Sequence, residues 1–83
     1  MCWEYVSRGC DGIVTVPDSA TIEAMRVLIT ELKQVTEPSG AVATAALLSA
    51  EFSDILVRDT SITRICVVIC GGNIGIDALK SYI

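Results

Sequence analysis

The chain has 83 residues, 52% of them hydrophobic, with six basic and ten acidic side chains, no histidine and a formal net charge of −4. That length allows one compact unit at most, burying only roughly 60% of the surface its unfolded form exposes. An acidic balance without a basic cluster offers no electrostatic footprint for a nucleic acid or an anionic membrane, and the longest apolar run, the six residues from Ile65 to Cys70, falls far short of the roughly 20 needed to cross a bilayer.

The start, Met1-Cys2-Trp3-Glu4, has no basic segment leading into an apolar one, so no signal peptide is expected and a reducing, cytoplasmic compartment is the default. Trp3 and Tyr5 read as core or patch residues without a role. Asp11-Gly12 signals a turn, and the β-branched run Ile13-Val14-Thr15-Val16 after it predicts a short strand closed by Pro17. Asp18 then reads as the cap of a helix running to about Gln34, with Ile22, Met25, Ile29 and Leu32 on one face and Glu23, Arg26, Thr30 and Lys33 largely on the other.

Glu37-Pro38-Ser39-Gly40 places proline where a first helical turn tolerates it. Gly40 to Ala46 follows with no side chain larger than valine, which predicts a helix buried on most sides. Glu37 stands at its entrance, where the helix dipole favours negative charge. From Glu51 to Thr63 the chain reads as a polar loop. Arg64 to Ile69 is a continuous apolar strand pattern of the kind buried on both faces. It stops at Cys70-Gly71-Gly72-Asn73, and a short helix from about Ile76 to Tyr82 closes the chain. Strand, helix, helix, strand, helix is a partial open layered α/β domain over residues 1–83, a piece of something larger. In such sheets ligands sit outside the carboxyl ends of the strands, which makes Cys70 to Asn73 the expected contact point for a cofactor.

Cys66 and Cys70, four apart on an extended strand, would stand about 13 Å apart at roughly 3.3 Å per residue, too far for a disulfide whose Cα atoms must lie within about 7 Å. Cys2 and Cys10 could approach across a turn, though nothing favours it. Without histidine a zinc site would need all four thiols at a spacing they do not have, so no metal is expected.

Two patches combine: Glu37-Pro38-Ser39-Gly40-Ala41 opening a small-residue helix and, about thirty residues later, Val67-Val68-Ile69-Cys70-Gly71-Gly72-Asn73 ending a strand. With Asp11-Gly12-Ile13-Val14-Thr15-Val16 and the helix around Ile22-Glu23-Ala24-Met25, they resemble, in order and spacing, the carboxyl-terminal part of the serine racemase and threonine dehydratase family, fold type II enzymes that use pyridoxal phosphate. The resemblance covers nearly the whole chain from residue 11. It implies that Cys70 stands where the family has a serine, or in some members a cysteine, against the pyridine nitrogen of the cofactor. There a group that is no strong acid limits electron withdrawal by the ring and favours racemisation and β-elimination. It implies that Glu37 tunes charge at the same edge, that Gly71 and Gly72 allow backbone close to a planar ring, and that Lys33 and Asn73 match positions touched by a nucleotide activator in animal serine racemases.

The family also anchors its cofactor on a lysine in a Ser-x-Lys-x-Arg-Gly context and seats the phosphate in a glycine-rich loop. This sequence contains neither; its lysines are Lys33 and Lys80. Two functions therefore stand side by side: part of a pyridoxal-phosphate racemase or dehydratase acting on serine or threonine, or a noncatalytic module that pairs with a full-length subunit or with itself. The residues alone also allow plainer roles, with Cys70 a core thiol, Glu37 a capping acid, and Gly71-Gly72-Asn73 a strand-to-helix turn.

Overall fold

The computed structural model describes residues 2–72 and 74–83, and among these every regular element is a helix: α1 (Cys2–Gly9), α2 (Asp18–Leu32), α3 (Pro38–Leu47), α4 (Ala50–Arg58) and α5 (Ile76–Tyr82). The expected layered α/β fragment is overturned. Residues 13–16 and 64–69 adopt no regular element and neither pairs its backbone with another segment, so no strand forms among the described residues. A strand exists only as part of a ladder, because each N–H and C=O needs a partner across the gap. β-branched residues favour the extended conformation without supplying that partner. Nor is the second segment buried, since Ile65, Cys66, Val68, Ile69 and Cys70 are all exposed.

α2 and α3 form the one extensive helix pair. The face of α2 that is buried comprises Thr21, Ala24, Met25 and Leu28, one step round from the face marked by Ile22, Ile29 and Leu32. Ile22 and Ile29 are half-buried and Leu32 is 55% exposed. The reason lies in the partner. α3 presents Gly40, Ala41, Thr44 and Ala45 at helical spacing, and such small residues let Met25 and Leu28 fill the space between the axes. α3 is thus buried along one face and not on most sides, for Val42 and Ala43 are exposed.

α2 begins at Asp18 itself, with Pro17 in the capping position and no side-chain cap. It ends at Lys33, which adopts the left-handed conformation (φ 57°) while its N–H reaches the Leu28 carbonyl. The expected polar loop from Glu51 is instead α4, capped by Ser49, whose hydroxyl accepts the Phe52 N–H at 3.2 Å. Phe52, Ile55 and Leu56 carry its inward stripe. α1 buries nothing and leaves Trp3 and Tyr5 exposed.

The core is correspondingly small: Ala24, Met25, Leu28, Ala41 and Ala45, with Val16, Ala20, Ile74 and Leu79 against it. The accessible surface is 6343 Å², whereas a compact chain of this mass would show about 4,800 Å². Likewise the radius of gyration of 14.3 Å exceeds the roughly 12 Å of a compact domain of this length. No single helix among the described residues is long and apolar enough to cross a membrane; only α3 and α4 taken together, bent by 43°, reach that length and composition.

Candidate functional site

The turn from α2 into α3 and the Cys70–Gly72 loop lie against each other. The Glu37 backbone N–H donates to the Gly71 carbonyl at 2.6 Å, and the Glu37 carbonyl in turn accepts from the Gly40 N–H at 2.9 Å. Glu37 is the residue before the first turn of α3, held extended at φ −73° with Pro38 following, as a proline-initiated helix requires. Its side chain makes no capping bond and instead lies over Gly71, where a Cβ would fall 2.6 Å from Cγ and Oε1. Gly71 has φ +74°, a conformation that strains any residue with a Cβ.

On the other side of the loop, a Cβ at Gly40 would overlap the Cys70 carbonyl oxygen. Gly72 has ordinary room, with the Val35 carbonyl 3.5 Å from where its Cβ would stand. Thr36, almost completely buried, completes the turn with a hydroxyl that has no hydrogen-bond partner.

The structure therefore brings Glu37, Cys70, Gly71 and Gly72 into one cluster. The Cys70 side chain is exposed and Glu37 is half-buried, so the cluster faces outward rather than into an enclosed cavity. A separate apolar groove of about 350 Å³, with Val14, Leu47, Phe52 and Ile65 on its walls, takes in Cys66 but none of these four residues. The Lys33 Nζ donates to the Thr30 carbonyl at 2.7 Å at the end of α2. Asn73, its expected partner in nucleotide contact, lies outside the described residues. All four cysteines are free thiols, and no group of three or more metal-ligating side chains occurs among the described residues.

As a fit for pyridoxal phosphate these residues make one wall. An exposed thiol supplies a weak donor and acceptor, and the Glu37 side chain stands beside it in the space that Gly71, lacking a Cβ, leaves free. No lysine belongs to the cluster. The sequence reading gave no site role to Gly40, which lies against the Cys70 carbonyl, or to Thr36 beside it; the signal available was a glycine in the first turn of a helix, where alanine would be better.

The family model for pyridoxal-phosphate dependent enzymes matches residues 1–71. Serine racemase of Oryza sativa subsp. indica is 35% identical over 79 residues, covering 95% of this chain and 23% of that protein. Phenylserine dehydratase of Ralstonia pickettii is 38% identical over 71 residues, 86% of this chain and 20% of that protein. L-threo-3-hydroxyaspartate ammonia-lyase of a Pseudomonas species is 28% identical over 78 residues, 94% and 23% respectively. The chain thus spans less than a quarter of the length of these relatives. No solved structure matches it.

Proposed function

The chain belongs to the pyridoxal-phosphate dependent enzyme family, and from that premise we propose that it forms the pyridine-nitrogen wall of a cofactor site serving racemisation of serine or β-elimination of water from serine or threonine. The observation that carries the reading is the docking of the Cys70–Gly72 loop on the entrance of α3, which puts the Glu37 carboxyl group beside a side-chain-free stretch of backbone. Bound pyridoxal phosphate supplies a ring that accepts electron density from the substrate. Cys70 would face the ring nitrogen with a weak hydrogen-bonding thiol in place of a strong acid, Glu37 would set the charge beside it, and Gly71 and Gly72 would border the ring with main chain. The lysine anchor and the phosphate seat come from polypeptide other than these 83 residues, and the site operates in the cytoplasm.

The test exchanges the matching segment of rice serine racemase for this chain. The folded chimera is expected to keep its cofactor absorbance through gel filtration and to act on serine, and Cys70→Ala or Glu37→Gln in it is expected to lower turnover tenfold or more. A folded chimera that loses the cofactor overturns the proposal.

The surface in excess of a compact chain, together with exposed Ile65, Val68 and Ile69, favours a second reading: a noncatalytic module that pairs with a full-length family subunit or with itself. Co-sedimentation of the purified chain with an intact family enzyme, without change in that enzyme's turnover, is the expected result; a monomer at all concentrations and in every mixture rejects it.

A further inference from the structure

We infer that Gly40 is a positioning residue: by leaving room for the Cys70 carbonyl where a side chain would stand, it fixes how the Cys70 thiol and the Glu37 carboxyl group are presented, and so it deepens the cofactor reading on which it rests. Gly40 occupies the third position of α3, is buried, and weakens the helix relative to alanine. A Cβ there would overlap the Cys70 carbonyl oxygen and lie 2.7 Å from its carbon and 3.3 Å from Thr36 Cβ. Two of those neighbours are main-chain atoms, which cannot rotate out of the way, and the third belongs to an almost fully buried residue. Gly71 is a different case, since the atoms its Cβ would meet belong to the Glu37 side chain and not to main chain. Gly9, Gly12 and Gly75 would meet nothing at all.

The contact at Gly40 and the Glu37 N–H bond to Gly71 are two points of attachment three residues apart on the α3 entrance and one residue apart on the loop. Two points fix direction as well as distance. With only the Glu37 bond, the loop could pivot about Gly71, a glycine at φ +74°. The close approach of the Gly40 α-carbon to a carbonyl removes that pivot, in the manner of a Cα–H···O contact.

The test uses the full chain without cofactor, so it can fail while the cofactor reading stands, and the reverse. In the unaltered protein, proton–proton Overhauser contacts are expected between the Gly40 α-protons and the Cys70–Gly71 segment; their absence overturns the inference whatever any variant does. Gly40→Ala is expected to accelerate exchange of the Glu37 amide at least tenfold and to raise the ratio of Cys70 to Cys66 alkylation rates at least threefold. Ala43→Gly, on the exposed side of the same helix, is expected to leave both unchanged. A folded Gly40→Ala protein with the original exchange rate and alkylation ratio refutes the positioning role, and should that variant not fold, the Overhauser contacts decide.

Discussion

The α2–α3 pair and the irregular segment from Arg64 to Cys70 are both rich in apolar residues, yet one is a core and the other lies open. In α2 and α3 each helix satisfies its own backbone hydrogen bonds, so burial needs only a complementary face, and Gly40, Ala41, Thr44 and Ala45 supply it to Met25 and Leu28. The segment from Arg64 to Cys70 has no internal means of pairing its backbone. Ile65, Val68 and Ile69 therefore stay exposed, with Val68 at 69%, and Val67 is half-buried. Apolar content says how much surface a segment would gain by hiding, and backbone hydrogen bonding says whether it can hide within this chain.

The difference is sharpest in paired truncations. Leu28→Ala, at a fully buried site, is expected to cost roughly 3 kcal/mol, read as a shift of the urea midpoint. Val68→Ala should stay within about 0.5 kcal/mol, and an equal loss at the two sites would break the comparison. Thr44 lies inside the packed pair with an unpartnered hydroxyl, so Thr44→Val, which keeps the shape and removes the desolvated group, should gain about 1 kcal/mol in the same assay.

At the end of α2 the left-handed Lys33 is a smaller liability. Lys33→Gly should raise stability by roughly 0.5–1 kcal/mol, and a loss would show that its bond to the Thr30 carbonyl outweighs the strain.

The smallest effect lies beyond both regions, in the turn after α4. Asp59 is held below the usual carboxylate range by the Ser61 hydroxyl and then by the Ser61 N–H, bonded at 2.5 Å and 3.1 Å. A depressed folded value adds stability that is present above the unfolded value and is lost as pH falls through the folded one. Ser61→Ala should move the Asp59 titration upward by NMR and flatten that acid-side loss, while the pair α2–α3 keeps its chemical shifts.

Family and cofactor class were legible in the chain because Glu37-Pro38-Ser39-Gly40 and Cys70-Gly71-Gly72 are local patterns. α2, α3 and α5 were legible because a helix completes its hydrogen bonds within a few residues. α4 was missed through attention to its polar composition, although Ser49 three residues before Phe52 carried a cap signal. What residue types determine by themselves is local: helix or extended backbone, a cap, a turn, a glycine where φ is positive. Which face of α2 is buried, whether the runs at 13–16 and 64–69 become strands, and how closely Cys70 approaches Gly40 were decided only in three dimensions. Each depends on a partner distant in sequence, and neither the periodicity of one segment nor its hydropathy encodes where that partner stands.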